Sequence, residues 1–269
     1  MRYRIVFCDV DGTLLSSDHR VLPQTLAAIQ SLRRQGVPFV IISARSPSGI
    51  YPIQDTYGFQ TPIIAYNGAL MLDEHRNTLY SNGLSLQATR QVIDFLEGNQ
   101  MDCSWNVYAG DSWIVKNKRD PRIIREERIV RASAVEGTLD LLPGDAAIGK
   151  VLCMCNPSRL PAIEERLRGA FPSLSIVRSS DILLEIMQNG VSKSSAVRFA
   201  CGLWSIPLEA AIAFGDHYND VEMLQSVGTP FLMGNAPDEL KKRFHAVTDS
   251  NDEDGIYHAL ASIGMVPPC

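Results

Sequence analysis

Short apolar stretches alternate with helical patterns at the start of the sequence, and this alternation limits the possible folds more than any other feature. Residues 5–8 are an apolar run typical of a buried strand, and residues 23–36 then show the apolar spacing of a helix. Two further apolar runs, residues 37–45 and 61–69, follow with a helical stretch between them. Strands that alternate with helices pack as a parallel sheet with helices on both faces. The sequence therefore predicts a doubly wound, Rossmann-like α/β core.

The middle of the chain departs from this alternation. A hairpin pattern around residues 73–77 precedes a mixed series of strands and helices, and the strand–helix alternation returns only from Gly190. A break of this kind indicates one domain inserted into another. We expect residues 1–82 and 188–269 to form the core, and residues 83–187 to form an inserted α+β domain.

The charge balance and the apolar runs exclude several classes of protein. The 269-residue chain has a formal net charge of -5 and a pI near 5.6, whereas a nucleic-acid partner calls for a basic surface. No apolar run reaches the roughly 18 residues of a membrane-spanning helix, and the first residues lack a signal-peptide pattern. We therefore expect a cytoplasmic protein with no membrane or nucleic-acid partner.

The six cysteines lack metal-binding spacing, because no two of them form a C-x-x-C pair. Cys153 and Cys155 are two residues apart, so in a strand their side chains share one face rather than bridge. All of the cysteines are expected to be reduced, mostly buried thiols, as is usual in cytoplasmic proteins.

Polar side chains follow the predicted core strands at the points where these strands end. They are Asp9 and Asp11 after the first strand, Ser43 to Arg45 after the second, Asn67 after the third, and Asp216 after a later one. In an open parallel sheet, ligands bind at the carboxyl ends of the strands. We therefore expect these groups to meet in one crevice, with Lys193 within reach.

This set of groups suits phosphoryl transfer. The carboxylates of Asp9, Asp11 and Asp216 form an all-oxygen site of the kind that Mg²⁺ prefers. The Ser43 hydroxyl and the Lys193 ammonium would hold an anion beside the metal. One carboxylate can attack phosphorus to form an aspartyl-phosphate, and a second can protonate the leaving oxygen. The sequence therefore indicates a metal-dependent enzyme that acts on phosphate esters.

Each motif taken alone has a simpler explanation. A D-x-D pair commonly sits in a turn, Lys193 alone is an ordinary solvated helix residue, and Ser43 alone is a turn hydroxyl. Asp216 or Asn219 alone would cap a helix. A catalytic role is indicated because all of these residues are predicted to lie together at the strand ends of one sheet.

Four segments together resemble the haloacid dehalogenase (HAD) superfamily of phosphohydrolases and, more narrowly, its Cof-type sugar-phosphatase branch. The segments are DVDGTL, ISAR, GVSK and GDHYND, and the stretches YNGA and VTDSNDEDGI are also typical of that branch. The resemblance extends over nearly the whole chain. It implies a HAD core in which residues 83–187 are the large cap that sets substrate specificity.

The resemblance also implies a role for each matched residue. Asp9 would be the nucleophile, and Asp11 the general acid/base. The metal set would be Asp9, Asp11 through its backbone carbonyl, Asp216, and Asp220 as outer-shell support. The remaining matched residues would bind the phosphoryl group or the substrate, and they are Ser43, Ala44, Arg45, Asn67, Gly68, Lys193 and Asn219.

Some positions depart from the family pattern or keep more than one interpretation. His217 stands where a small residue or an amide is usual, and it is expected to be a solvated loop histidine; Ser194 replaces a common glycine. Arg45 either binds substrate or braces its loop. Asn67 with Gly68 is either a substrate contact or a simple turn.

Three functions stay open on these grounds. The intact residues favour a Mg²⁺-dependent phosphatase that acts on small phosphomonoesters, with sugar phosphates first among them. A phosphosugar mutase has a similar architecture, and a phosphosugar sensor would bind without turnover. The acid/base carboxyl of Asp11 argues against a pure sensor, because binding alone does not need it.

Overall fold

A computed structural model describes residues 3–130 and 132–267 of the protein. Its strands are β1 (Ile5–Cys8), β2 (Phe39–Ile42), β3 (Ile63–Ala65), β4 (Leu70–Leu72), β5 (Thr78–Ser81), β6 (Cys103–Ala109), β7 (Ser112–Val115), β8 (Val135–Glu136), β9 (Lys150–Cys155), β10 (Leu174–Arg178), β11 (Leu183–Gln188), β12 (Ala211–Gly215) and β13 (Thr229–Leu232). Its helices are α1 (Pro23–Arg34), α2 (Pro47–Tyr57), α3 (Leu86–Gly98), α4 (Pro121–Val130), α5 (Leu160–Ala170), α6 (Lys193–Leu203), α7 (Val221–Ser226), α8 (Asp238–Lys241) and α9 (Gly255–Ser262).

The first compact unit is built on a seven-stranded sheet. It comprises the described residues up to Ala44, Pro52–Leu79, and the described residues from Ser192 onward. The strand order is β13-β12-β1-β2-β3-β4-β5, and the first five strands in this order are parallel. β1, β2, β3 and β12 consist wholly of buried residues, as expected for parallel strands covered on both faces. The predicted Rossmann-like core is confirmed.

The hairpin predicted around residues 73–77 extends this sheet. β4 pairs with β3 in antiparallel register, with Ile64 opposite Met71. At the turn the Asp73 N–H donates to the Asn77 carbonyl (2.9 Å). The core sheet is therefore mixed at one edge, because β4 runs antiparallel to β3 and β5 follows β4 as the last strand in the order.

The helices of this unit pack in two groups: α1 contacts α9, and α6 contacts α7 and the 3₁₀ turn Tyr66–Gly68. α6 begins with a capping box. The Ser192 hydroxyl accepts from the Ser195 N–H (3.1 Å), and the Ser195 hydroxyl accepts from the Ser192 N–H (3.0 Å). This cap fixes the backbone at Lys193, the first residue of the helix. None of the described helices is both long and apolar enough to span a membrane.

The second compact unit contains Arg45–Tyr51 and the described residues of Tyr80–Val191. Its sheet has the strand order β10-β11-β9-β6-β7-β8, and all neighbours are antiparallel except β7 and β8. Apolar side chains of α3 and α5, among them Val92, Leu96 and Leu160, pack on one face of this sheet. The unit therefore has a hydrophobic core of its own.

The boundaries between the units lie a few residues from the predicted ones. The chain passes from one unit to the other at Leu79 and Ser192, whereas the sequence pattern predicts changes at 82 and 188. The change of unit after Leu79 lies inside β5, so the strand pattern in the sequence continues across this boundary and does not mark it. The grouping of Arg45–Tyr51 with the second unit has no counterpart in the sequence pattern. The role of the second unit as a cap stays a prediction.

Candidate active site

β1 and β12 are neighbours in the sheet although they are far apart in the chain, and the order of the strands reverses between them. Ligands bind in open α/β sheets at the carboxyl ends of the strands beside such a reversal. Asp9 directly follows β1, and Asp216 directly follows β12. The topology therefore brings these two carboxylates to the place where a ligand site is expected.

Lys193 joins two buried carboxylates at this edge. Its Nζ lies 2.6 Å from Asp9 Oδ1 and 2.6 Å from Asp220 Oδ1. The exposed fraction of the side chain is 1% for Lys193, 9% for Asp9 and 0% for Asp220. Burial by itself lowers the pKa of Lys193, but the charges of Asp9 and Asp220 outweigh this effect and raise the pKa. Lys193 is therefore a fixed, buried positive charge and not a solvated helix residue.

Asp220 has both carboxylate oxygens occupied by the protein. Oδ1 receives the Lys193 ammonium, and Oδ2 accepts from the backbone N–H groups of Asp216 (3.1 Å) and His217 (3.0 Å). These bonds tie the loop after β12 to the first residue of α6. The contacts suit a residue that positions Lys193 and the Asp216 loop from outside the ligand site.

Burial makes the charges of the two strand-end carboxylates costly. It raises the pKa of Asp9 to about 7, with the Lys193 charge acting against the shift and the Asp220 charge adding to it. Burial also raises the pKa of Asp216, and a hydrogen bond from Thr13 opposes this. A cation beside the two carboxylates would lower the cost of ionising both.

Together with Asp220, these two carboxylates form a group that fits a hard metal ion. One carboxylate oxygen from each of Asp9, Asp216 and Asp220 lies within 4.8 Å of the others. Oxygen-only donor sets suit Mg²⁺, which keeps several of its water ligands. The donor chemistry and the cost of the buried charges therefore both fit a divalent cation at this position.

Two residues that the sequence reasoning missed hold Asp216 in place. The Thr13 hydroxyl donates to Asp216 Oδ1 (2.9 Å). Asn235 Nδ2 donates to the Gly12 carbonyl (2.8 Å) and lies 3.5 Å from Asp216 Oδ2. Thr13 belongs to the DGT turn, and Asn235 follows β13. The rule that functional groups lie at the carboxyl ends of parallel strands would have identified Asn235.

Gly12 meets a strict steric requirement in this turn. Its φ is +76°, and a Cβ at this position would lie 2.3 Å from Asp216 Oδ2. Glycine tolerates the left-handed backbone, and it also leaves room for the carboxylate. The DGT turn and Asp216 are thus fitted to one another.

Asp11 occupies a different environment from Asp9. Asp11 is exposed, whereas Asp9 is buried, and the Asp11 carboxylate is not part of the three-carboxylate group. A general acid/base has to reach the leaving oxygen of a ligand, and an exposed carboxyl two residues from Asp9 is accessible to one. The predicted contact of its backbone carbonyl with a metal stays a prediction.

The ends of β2 and β3 bring Ser43 and Asn67 together. Ser43 is 1% exposed, and its carbonyl accepts from the Asn67 N–H (2.8 Å). Asn67 has a left-handed backbone with φ 55°, and its Oδ1 is buried without a hydrogen-bond partner among the described residues. An unpaired buried amide oxygen is costly. Asn67 is therefore suited to accept a hydrogen bond from a ligand.

Gly68 has a packing role that a simple turn would not require. Its φ is +117°, and a Cβ would lie 2.6 Å from the Ser192 carbonyl, next to the start of α6. The Asn-Gly pair is therefore packed against the helix that carries Lys193.

The other predicted residues are exposed or only partly buried. Ala44 is partly buried, and Asn219 and His217 are exposed. Arg45 belongs to the second unit, where its guanidinium donates to the Gly49 carbonyl (3.0 Å). That bond is what the loop-bracing interpretation of Arg45 predicts.

Known proteins share both the sequence pattern and the fold. The sequence profile of the haloacid dehalogenase-like hydrolases matches residues 6–260. A candidate phosphatase of Haemophilus influenzae is 33% identical over 260 residues, which are 95% of this chain and 96% of that protein. A Thermotoga maritima protein of known structure superposes with a TM-score of 0.89 at 26% identity, over 99% of each chain. A sugar phosphatase of HAD subclass IIB superposes with a TM-score of 0.76 at 21% identity, over 98% of this chain and 100% of its own.

Proposed function

The chain belongs to the haloacid dehalogenase-like hydrolases and is a phosphatase of the Cof type, and from this membership we propose the reaction that it catalyses. The reaction is Mg²⁺-dependent hydrolysis of small phosphomonoesters, with sugar phosphates first among them, through an aspartyl-phosphate on Asp9. The observation that carries the proposal is the 2.6 Å ion pair between Lys193 and Asp9. It holds a buried carboxylate at the strand-order reversal, and Asp216 follows the neighbouring strand.

Asp9 is the nucleophile in this reaction. Lys193 holds Oδ1 and favours the ionised carboxylate, which forms a bond to phosphorus while the ester P–O bond breaks. The same ammonium offsets the negative charge that develops on the phosphoryl oxygens. Ser43, at the end of β2, contributes a hydroxyl that can donate to these oxygens. Asn67 Oδ1, at the end of β3, would accept from a hydroxyl of the leaving group.

Asp11 moves the protons in both halves of the reaction. Its carboxyl first protonates the leaving oxygen of the alcohol. It then takes a proton from the water that attacks phosphorus, and the bond between phosphorus and Asp9 breaks to release orthophosphate.

Asp9, Asp216 and the backbone carbonyl of Asp11 would hold the Mg²⁺ ion, and Asp220 would support them from outside. Bound there, Mg²⁺ supplies positive charge that polarises the phosphoryl group. Thr13 and Asn235 orient Asp216 for this purpose through the contacts described above.

Sugar phosphates are the substrate class to test first. The subclass IIB sugar phosphatase shares the fold of this chain, and this likeness supports the class by fold alone. The second unit would supply the groups that distinguish one leaving group from another. A cytoplasmic location and the absence of a nucleic-acid partner stay predictions.

Release of orthophosphate from a panel of sugar, nucleotide and cofactor phosphates tests the proposal. The assay is run with Mg²⁺, with a chelator, and with the variant Asp9→Asn. A matched control is Asp18→Asn, which makes the same chemical change at a carboxylate whose side chain is 78% exposed. We expect release that requires Mg²⁺, persists in Asp18→Asn and is lost in folded Asp9→Asn.

Three other results would contradict the proposal in different ways. Phosphate release that continues in Asp9→Asn would show that Asp9 is not the nucleophile. Isomerised sugar phosphate without free phosphate would establish a mutase. Tight binding of a phosphosugar without any product would establish a sensor.

A further inference from the structure

Three cysteines of the second unit lie together on one face of its sheet. Cys103 begins β6 and is directly opposite Cys155, the last residue of β9. Cys153 lies two residues before Cys155 and is opposite Trp105. Cys153 and Cys155 are buried, whereas Cys103 is partly exposed, and all three are free thiols. They belong to the hydrophobic core between the sheet and its helices or pack against it.

Cys103 and Cys155 form a non-hydrogen-bonded pair of the antiparallel ladder. The Cys103 N–H donates to the Met101 carbonyl (2.8 Å), and the Cys155 N–H donates to the Ile182 carbonyl (2.7 Å). Neither amide donates to the residue opposite. In such pairs the Cα atoms are only about 4.5 Å apart and the side chains approach closely. This spacing lies within the roughly 4.4–6.8 Å that a disulfide spans.

The surroundings make Cys103 the thiol that reacts first. It is the partly exposed member of the group, and the neighbouring Cys153 and Cys155 thiols lower the pKa of Cys103, an effect to which the charge of Arg122 adds. The pKa values of Cys153 and Cys155 are raised, by the neighbouring Cys103 thiol and by burial. Cys103 is thus the thiol that a peroxide can reach from solvent, and the buried Cys155 directly opposite it is placed to act as its resolving partner.

A shared metal ion fits this group less well. Among the described residues, one group of three or more has ligand atoms within 4.8 Å of one another, as a shared metal ion requires. It consists of Asp9, Asp216 and Asp220. The three sulfur atoms do not all lie within that distance of one another. The directly opposed pair is therefore the feature with chemical consequences.

We propose that Cys103 and Cys155 are a reversible thiol–disulfide pair that takes hydroperoxides as its oxidant. The Cys103 thiolate attacks the terminal peroxide oxygen, the O–O bond breaks, and an alcohol or water leaves after taking a proton. The Cys155 sulfur then attacks the resulting sulfenic acid, loses its proton, and displaces water as the S–O bond breaks. The two thiols lose two electrons, and these electrons reduce the O–O bond. This reactivity is independent of the proposed phosphatase reaction.

Peptide mapping of the oxidised protein tests the pair directly. The dilute protein is treated with hydrogen peroxide, its remaining thiols are alkylated, and it is cleaved after lysine and arginine without reduction. Cys103 then lies in residues 91–116, while Cys153 and Cys155 share residues 151–159. We expect these two peptides to be joined, two of the six thiols to be lost, and both effects to reverse with dithiothreitol. Fragmentation of the joined peptide identifies the second cysteine.

Single variants separate the resolving cysteine from its neighbour. Cys153→Ala should keep the joined peptide, whereas Cys155→Ala should lose it and accumulate a Cys103 sulfenic acid that dimedone traps. Cys201→Ala, at a buried cysteine of the first unit, is the matched control and should behave as the wild type. A link from Cys103 to Cys153, a link that survives in Cys155→Ala, or oxidation that leaves Cys103 unmodified would overturn the proposal. Because the wild type is mapped as well, the result does not depend on any variant folding.

Discussion

At the scale of single residues, Asp9 ties the stability of the protein to pH. Its pKa of about 7 in the folded protein lies above the about 3.9 of a free aspartate. The folded state therefore keeps a proton that the unfolded chain has released. The stabilisation is complete below about pH 3.9, and it is lost as the pH rises through about 7.

Asp9→Asn should remove this dependence in chelated protein. Between about pH 5 and 7, the free energy of unfolding of the wild type should fall relative to that of the variant by up to about 1.4 kcal/mol per pH unit. Urea unfolding of both proteins at several pH values measures the difference, and other titrating groups cancel in it. Parallel pH profiles for the two proteins would show that the Asp9 pKa is not raised.

Gly12 allows a prediction with a built-in control. Gly12→Ala and Gly36→Ala both place alanine at a positive φ, +76° and +69°, but at Gly36 no atom lies within 4 Å of the added Cβ. Both variants should lose about 1 kcal/mol of stability from the backbone alone. Only Gly12→Ala displaces Asp216, so its Mg²⁺-dependent phosphate release should fall at least about 100-fold. Equal activity in the two variants would mean that the fit between Gly12 and Asp216 does not matter for turnover.

At the scale of elements, the start of α6 determines where Lys193 stands. Ser192→Ala removes the hydroxyl of the capping box, and Ser85→Ala removes the equivalent cap of α3, which accepts from the Ala88 N–H (3.1 Å). Each variant should lose about 1 kcal/mol of stability. Only Ser192→Ala should also lower kcat, by about tenfold, because the Lys193 backbone is no longer fixed. Denaturant unfolding and steady-state kinetics distinguish the two; equal kinetics would contradict the positioning role of the cap.

Elements with a strong periodic or apolar pattern were predictable from the sequence. β1 and β12 are wholly buried runs, and such runs show in the sequence without reference to their neighbours. β8 escaped prediction because it consists of two exposed residues, Val135–Glu136, and exists only through its pairing with β7. The antiparallel edge of the core sheet likewise depends on which strand the hairpin joins.

The site was predictable to the extent that topology determines it. Residues that follow parallel strands must share one edge, so Asp9 and Asp216 could be placed together from the sequence. The contacts of Asp220 could not be predicted from the sequence, because they depend on the backbone conformation of the loop after β12. The Asn235 contact with the Gly12 carbonyl also needs the three-dimensional path of two loops.

At the scale of the whole molecule, each compact unit has buried apolar residues of its own among the described residues. The core of the second unit is formed by residues of α3, α5 and its own sheet, and the residues of the predicted active site, Arg45 excepted, lie in the first unit. Every residue of this core lies between Leu84 and Ile186, so residues 80–191 contain it complete without Arg45–Tyr51 of the same unit, and a unit with its own core can fold alone.

Residues 80–191 expressed alone should therefore fold without catalytic activity. We expect a cooperative urea transition, near-ultraviolet circular dichroism from packed aromatic side chains, and no Mg²⁺-dependent phosphate release. A segment that binds hydrophobic dyes and unfolds without cooperativity would show that this core depends on the first unit.

The most direct measurement is the chemical trapping of phosphorylated Asp9. The enzyme is quenched in acid during turnover and reduced with borohydride, which converts an aspartyl-phosphate to homoserine, and it is then cleaved after lysine and arginine. Asp9 lies in residues 5–20, and fragmentation distinguishes it from Asp11. The proposed mechanism predicts homoserine at position 9, dependent on substrate and Mg²⁺ and absent from Asp9→Asn. Homoserine at another position, or none while phosphate is being released, would contradict nucleophilic attack by Asp9.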